Sequence, residues 1–374
     1  MAEPTCWMEL ETPTALVDVD RMTANLRKVA DYCRTWGIAY RPHAKTHKSP
    51  ELARAQLSAG AVGITVATPR EAEVMATVCP DILVAYPPAG RARLGRLLSL
   101  PPETRLSVAL DSREALQGLA RAARAMGREV TVLIEVDMGM GRVGVQSTPD
   151  AARLGQEASE TAGIRYGGIL LYPGHIRIPT GEQLPAIRAL TGRLAALLDA
   201  LSGAGLPARV VSGGSTPTLF QSHLMTGVTE VRPGTWIFND RTTALLDACH
   251  WTECAYSVLA TVVSTSVPGQ VVVDAGSKVL AKEEVRATFR DLQVASGFGC
   301  VLDRPELRVT ALSEEHGVID LADSPWGPSV GEMVRIVPNH VCVSVNLQDR
   351  LWQVQGERVL GYWPVEARGH HRRD

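Results

Sequence analysis

The sequence predicts an α/β protein: a (β/α)8 TIM-type barrel followed by an antiparallel β domain. Three observations carry this expectation. Short apolar runs alternate with helix-sized amphipathic segments up to about residue 240, and strands alternating with helices mean parallel strands joined by crossover helices. From residue 38 to residue 231 there are eight such runs, the strand number of a closed barrel of about 200 residues. After about Asp247 the texture changes to short β-type runs bounded by Gly, Pro and Asp, with no long amphipathic helix between them.

Taken in order, residues 15–20 read as a strand that leads into a helix, where Leu26, Val29, Ala30 and Cys33 fall at helical spacing and Gly37 supplies the stop. This strand is surplus to the barrel. The barrel strands are expected at 38–42, 63–67, 82–86, 106–110, 130–136, 168–172, 209–212 and 229–231. Pro69, Ser112 and Thr180 stand where helices start. In the second domain, strands are expected at 258–264, 270–274, 307–312, 317–321, 333–337, 351–355 and 358–362, with the boundary near 240–255.

The chain of 374 residues is 45% hydrophobic and 21% charged, a globular composition able to bury a large core. A net charge of −2 offers no basic field for nucleic acid or anionic membrane, and 5% aromatics leave no base-stacking surface. The seven cysteines form no Cys-x-x-Cys pair and are odd in number, which fits a reducing cytoplasm better than a disulfide framework. The first residues carry acids where a signal peptide carries basic and apolar ones. No apolar run reaches the roughly 18 residues of a membrane span. A cytoplasmic small-molecule enzyme is the expectation.

The densest polar segment is Arg41-Pro42-His43-Ala44-Lys45-Thr46-His47-Lys48, at the C-terminal end of a barrel strand, where barrel enzymes place catalysis. An amine among cations suits Schiff-base chemistry, which makes Lys45 the candidate nucleophile; the alternative is a solvated basic loop. A His43/His47 metal pair is disfavoured because the segment does not read as helix. Asp137-Met138-Gly139-Met140-Gly141-Arg142-Val143-Gly144 contains G-x-G-x-x-G, but Gln146-Ser147-Thr148-Pro149 intervenes before the next helix. A dinucleotide fingerprint opens directly into its helix, so the segment reads as a glycine-rich active-site loop presenting Arg142. In Ser212-Gly213-Gly214-Ser215-Thr216-Pro217-Thr218, two glycines admit an anion to backbone N–H groups, the hydroxyls add donors, and Pro217 suits a first helical position. It lacks the lysine of a P-loop and reads as a single-phosphate cradle, or else as a plain turn. Tyr172 and His175 stand at a barrel-strand end. If 338–342 is a strand, His340 and Cys342 share one face, and imidazole with thiolate suits Zn²⁺; a core cysteine beside a satisfied histidine is the plainer alternative. Lys278 rivals Lys45 but lies in the β domain, and Glu314-Glu315 before His316 also suits a surface turn. One ligand unites the barrel features. An aldehyde, an aromatic ring and one phosphate would engage Lys45, Arg142 or Tyr172, and the 213–216 cradle; that ligand is pyridoxal 5′-phosphate.

These segments together resemble one family. Thr12-Pro13-Thr14 with Asp18-Val19-Asp20, Arg-Pro-His-Ala-Lys-Thr-His-Lys, Gly-x-Gly-Arg-x-Gly, Ser-Gly-Gly-Ser-Thr-Pro-Thr, Glu-Glu-His-Gly and Pro-Asn-His-x-Cys are similar, in order from about residue 12 to 368, to the fold-type III pyridoxal-phosphate enzymes related to alanine racemase. The branch resembled is that of D-threonine aldolase and D-serine dehydratase. The resemblance implies a barrel over 20–248 and a β domain over 1–19 plus 249–374, which accounts for the surplus strand. It implies Lys45 as the cofactor lysine, and Ser212, Gly213, Gly214, Ser215 and Thr216 at the phosphate. It puts Arg142 and Tyr172 near the cofactor ring, with His43, Tyr172 and His316 among the catalytic residues. It gives His340 and Cys342 a divalent metal (Zn, Mn or Mg) beside the β-hydroxyl of a D-amino acid, and it implies a homodimer.

Two reactions fit: retro-aldol cleavage to glycine and an aldehyde, or elimination to a keto acid and ammonia from D-serine or 3-hydroxy-D-aspartate. His-x-Cys resembles the dehydratases, whereas Glu135-Val136-Asp137, Val345-Asn346-Leu347 and Val365-Glu366-Ala367-Arg368-Gly369 resemble the aldolases, the preferred reading. Trp236 follows Arg232-Pro233-Gly234-Thr235 where tyrosine is usual. A racemase, or a non-catalytic cofactor carrier built on the barrel alone, is a more distant reading, because about 120 residues follow the barrel.

Overall fold

A computed structural model of the chain describes residues 4–285, 287, 295–321 and 324–370. After a 3-10 turn at Trp7–Glu9, strand β1 (Thr14–Asp18) runs into helix α1 (Val19–Trp36), which ends at Gly37 with φ +62°. Eight strands and six helices then alternate: β2 (Ala39–Tyr40), α2 (Pro50–Ser58), β3 (Ile64–Val66), α3 (Pro69–Met75), β4 (Asp81–Val84), α4 (Arg91–Leu98), β5 (Arg105–Leu110), α5 (Arg113–Ala125), β6 (Val130–Glu135), α6 (Thr148–Glu160), β7 (Ile164–Leu170), α7 (Leu184–Gly203), β8 (Val210–Gly213) and β9 (Glu230–Val231). Each expected barrel run overlaps one of these strands, although β7 begins at Ile164, ahead of its expected start at 168.

All these strands pair in parallel, in the order β2-β9-β8-β7-β6-β5-β4-β3. The ring closes where Val62 N–H donates to Tyr40 O and Thr65 N–H to Pro42 O, both at 2.8 Å. Strands buried on both faces read as apolar runs rather than alternating ones, and β3, β5 and β6 are buried along most of their length. Three of these helices start on side-chain caps: Thr68, Ser112 and Ser147 accept the N–H groups of Glu71, Ala115 and Asp150. Their apolar positions recur at helical spacing, as Leu116, Leu119, Ala120 and Ala123 do in α5. The start expected at Thr180 is a 3-10 turn, Thr180–Glu182, with α7 following at Leu184. A cavity of about 710 Å³ opens at the strand starts, lined by Asp81, Arg105 and Arg128 among others, away from the strand ends that carry the candidate site.

The rest of the chain is α8 (Arg241–Leu245), β10 (Tyr256–Ser264), β11 (Gln270–Val273), α9 (Ser277–Leu280), β12 (Gly299–Val301), β13 (Arg304–Leu312), β14 (Gly317–Asp320), β15 (Met333–Pro338), α10 (Val341–Val345), β16 (Arg350–Gln355) and β17 (Arg358–Pro364). Strands β10-β11-β14-β13-β12-β15 pair in sequence and return to β10, an antiparallel barrel of six strands. β1 lies antiparallel to β10 and parallel to β16, and β17 completes the sheet. Among the strands of the described residues, β12 alone had no expectation: it is three residues long, too short for a periodic signal.

The chain forms two compact units. One comprises 1–28, 177–180 and 235–366; the other comprises 29–176, 181–234 and 367–374. Among the described residues, no helix is long and apolar enough to cross a membrane.

Candidate active site

The lysine segment follows β2. His43 caps the 3-10 turn Ala44–Thr46 by accepting the Lys45 N–H at 3.4 Å. His43, Ala44, Thr46 and His47 are buried, and Lys45 alone in this turn is exposed. Its amine forms no ion pair among the described residues. The turn is packed so closely that a Cβ on Gly234 would lie 2.6 Å from Thr46 Oγ1. Burial, with Lys45 and Arg232 next in weight, holds His43 well below the usual histidine range. His47 accepts the Ser49 N–H at 3.1 Å, its Nε2 lies 3.1 Å from Gln56 Oε1, and burial lowers it to about 4. Both its ring nitrogens are committed, so it is a core histidine and not half of a metal pair. Arg41, expected to crowd Lys45, instead turns into the barrel, where Asp81 Oδ1 and Glu230 Oε2 accept from it at 2.6 and 2.7 Å.

The glycine loop is organised by Asp137. Its carboxylate accepts the N–H groups of Gly139, Met140 and Gly141 at 2.8–3.1 Å. These bonds overcome the opposing effect of burial and hold the carboxyl below the usual range. Val136 and Val145 bridge the loop's base. Arg142 rides at the exposed tip, its guanidinium 5.3 Å from the centre of the Tyr172 ring. A Cβ on Gly139 would meet the His175 ring at 3.0 Å, and φ is +123° there. At the base of the loop, burial raises the Glu135 carboxyl to about 7.

After β8, Gly214 turns the chain at φ +84°. The backbone N–H groups of Gly214, Ser215 and Thr216 donate to no protein acceptor among the described residues. Ser215 Oγ lies 3.0 Å from Thr218 Oγ1. The helix expected to open at Pro217 does not form; a 3-10 helix, Leu219–Leu224, follows Thr218. The Ser212 hydroxyl is engaged inside the barrel, donating to Glu230 Oε1 and accepting from Arg232 Nη1, both at 2.6 Å. Arg232 Nη2 also donates to Leu171 O at 2.9 Å.

In the other unit, His340 and Cys342 do not share a strand. β15 ends at Pro338 and Cys342 lies in the first turn of α10. The run Val-Cys-Val-Ser-Val has β propensity, but the tertiary setting overrides it. Asn339 ties the turn to Gly297 O, Glu283 O and Arg241, and Asp240 Oδ2 accepts the Val341 N–H at 3.1 Å, as a helix cap would. The two side chains meet nevertheless, His340 hydrogen-bonding the Cys342 thiol. His340 Nδ1 lies 3.0 Å from Asp240 Oδ2, the outer partner typical of a ligating histidine. Asp240 escaped the sequence reading, although Asp240-x-x-Thr243 is a legible capping box. Among the described residues, no group of three or more His, Cys, Asp or Glu is disposed to hold a metal. Lys278 is paired with Glu314 and Glu315 at 2.9 and 2.7 Å on the surface, which removes it as a rival nucleophile. His316 is exposed on the turn between β13 and β14, and Trp236 is buried.

Residues 17–242 match the family model for the alanine racemase N-terminal domain, and residues 255–354 that for a putative serine dehydratase domain. A D-threo-3-hydroxyaspartate dehydratase of Delftia sp. (strain HT23) is 36% identical over 90% of this chain and 92% of its own. A D-threonine aldolase of Arthrobacter sp. is 32% identical over 97% and 94%. The crystal structure of D-threonine aldolase from Filomicrobium marinum superposes with a TM-score of 0.90 at 31% identity, covering 98% of this chain and 99% of that one. A cysteine-to-alanine variant of D-threo-3-hydroxyaspartate dehydratase, described as metal-free, superposes at 0.85 with 32% identity over 99% and 100%. A histidine-to-alanine variant of the same enzyme, altered two positions before that cysteine, superposes at 0.86 with 32% identity over 98% and 97%.

Proposed function

This chain belongs to the family of the alanine racemase N-terminal domain, continued by a serine dehydratase-type domain, and from that premise we propose a lyase that acts on β-hydroxy D-amino acids by retro-aldol cleavage to glycine and an aldehyde. Its relatives are pyridoxal phosphate-dependent aldolases and dehydratases. The observation that carries the assignment of the site is the exposed Lys45 amine at the end of the first barrel strand, in a turn whose other residues are buried.

The donor set suits the cofactor. Lys45 offers an amine, and Gly214, Ser215 and Thr216 offer three unclaimed N–H groups for one phosphate. Arg142 offers a cation over the Tyr172 ring. Bound pyridoxal phosphate supplies an electron sink for the pair released when a bond at the substrate's Cα breaks. In our assignment Lys45 holds the cofactor and carries a proton at Nζ. His43, kept neutral by burial, fixes the backbone that presents Lys45. Tyr172 and Arg142 orient the anionic face of the ligand. His316, whose ring makes no hydrogen bond among the described residues, takes the proton of the β-hydroxyl. His340 and Cys342 would hold a divalent metal, oriented by Asp240, and imidazole with thiolate favours zinc. A metal's contribution there is to polarise a hydroxyl oxygen. The barrel, the β domain and a homodimer complete the proposed arrangement.

Elimination to a keto acid and ammonia is the second reading. It is favoured by the His340–Cys342 pair and by the two-residue spacing of the altered histidine and cysteine in the dehydratase structures. A product assay on D-threonine, D-serine and 3-hydroxy-D-aspartate separates the two. Glycine with an aldehyde supports the first reading, and ammonia with a keto acid the second. Absence of both sets of products would remove the lyase assignment and leave the racemase and carrier readings.

A further inference from the structure

The cavity at the strand starts follows from the strand pattern. Residues i and i+2 of a strand share a face, and Leu83, Ala109, Leu133 and Leu170 pack together. One step nearer the strand starts, the cavity wall holds Ser107, Thr131 and Gly167, where barrel interiors ordinarily carry bulky Val, Ile or Leu. Gly167 cannot be enlarged in place, because a Cβ there would lie 2.6 Å from Thr131 Cγ2. This layer is therefore hollow, and about 710 Å³ stays open. Guanidiniums from four neighbouring strands line the cavity: Arg105 on β5, Arg128 just before β6, Arg165 on β7 and Arg209 just before β8. Each lining charge can be placed. Arg41 is spent between Asp81 Oδ1 and Glu230 Oε2, and Arg105 Nη2 reaches Asp81 Oδ2 at 3.2 Å. Arg128 gives both its Nη groups to the carbonyl oxygens of Leu98, Leu100, Pro101 and Thr104. Arg165 donates to Thr131 Oγ1 and lies 3.7 Å from Glu129 Oε1. Arg209 and Glu103 form no hydrogen bond or ion pair among the described residues. Guanidiniums thus outnumber carboxylates five to four, with Glu230 behind Arg41 counted. Arg105, Arg165 and Arg209 are exposed and keep N–H groups that no described residue takes.

We propose that this cavity is a binding site for a small doubly charged oxyanion, a phosphate or a dicarboxylate, held by Arg105, Arg165 and Arg209. A guanidinium fork matches either group with paired N–H bonds. The volume is that of a small-molecule site, and Leu98, Leu100 and Met126 give the body of the ligand an apolar wall. Glu103 and Glu129 line the same cavity and repel an extended polyanion, whose charge would run past the three free forks. Barrel enzymes do their chemistry at the strand ends, and Lys45 stands there; a ligand at the strand starts binds without reacting. The site stands apart from the function proposed above and does not depend on it.

Arginine labelling of the full chain with phenylglyoxal at low ionic strength, mapped by peptide mass spectrometry, reads each guanidinium separately. Inorganic phosphate or succinate at millimolar concentration should protect Arg105, Arg165 and Arg209 in a saturable way. Arg34 and Arg153, exposed and outside the cavity, should go on reacting. Protection by either anion supports the inference, and the stronger protector separates a phosphorylated ligand from a dicarboxylate. An anion held instead by the 214–216 segment would leave the three arginines reactive. Absence of protection by both anions, or equal protection of Arg34 and Arg153, overturns the inference. Titration calorimetry supplies a second reading. Arg165→Gln combined with Arg209→Gln should weaken binding of the protecting anion by about tenfold or more, the loss of charge-assisted hydrogen bonds. Unchanged affinity in that variant also overturns the inference.

Discussion

At the scale of single residues, ion pairing separates the candidate amine from the cations that hold the fold. Lys45 is exposed in a turn of buried neighbours, whereas Arg41 and Lys278 are tied up in ion pairs. Lys45→Ala should lower turnover by about 10⁴-fold or more, the upper range for a lost proton-transferring group. It should also abolish the borohydride-reducible adduct, read by peptide mapping; an adduct that persists on another lysine would move the assignment. His47 supplies a prediction about pH. Its pKa falls from 6.5 to about 4 on folding, so between these values the unfolded chain binds the extra proton. Stability is then lost as pH falls from about 6.5 towards 4, by on the order of 3 kcal/mol. Urea midpoints across that window should show this slope in the parent and a shallower one in His47→Gln. Equal slopes would mean that another group carries the acid sensitivity.

Among the elements, the loop 138–146 and the helix α10 show how one carboxylate can decide a conformation. Asp137 gathers three N–H groups that the glycine-rich sequence cannot satisfy by itself. Asp137→Ala should lower stability by about 1–3 kcal/mol. Amide exchange at 139–141 should accelerate well beyond that global change, and protection retained there would contradict the organising role. Asp240 does the same for α10, by accepting from both His340 and Val341. The i, i+2 logic that paired His340 with Cys342 was correct about proximity and wrong about geometry, because a capped helical turn also brings a cap residue and its second successor together. The Pro217 expectation failed for a related reason. Proline permits a helix start, but only packing decides whether a helix follows.

For the whole molecule, the decisive strand is the first. β1 lies between β10 and β16, and its residues Ala15, Leu16 and Val17 are fully or almost fully buried. Removing residues 1–18 should open that sheet, abolish a single cooperative unfolding transition and expose apolar surface to a hydrophobic dye. A truncated chain that unfolds cooperatively like the parent would show β1 to be dispensable. The order of strands and helices in the barrel was written in the chain by local means: apolar runs of strand length, capping residues at helix starts, and glycines at helix ends. Lys45, the glycine loop and the 213–216 segment were legible because their chemistry is concentrated in short stretches. Glu230, Arg232 and Asp240 were not, because each acts through partners distant in sequence, and no local pattern records which buried carboxyl faces which guanidinium. Element types, the barrel and the family's motifs could thus be read along the chain, because all of them depend on near neighbours in it. That Arg41 turns inward, that His47 is a core residue and that Cys342 sits on a helical turn follows from long-range contacts alone. Those outcomes depend on burial and on hydrogen bonds between segments tens of residues or more apart, and such energies exist only once the chain has closed on itself.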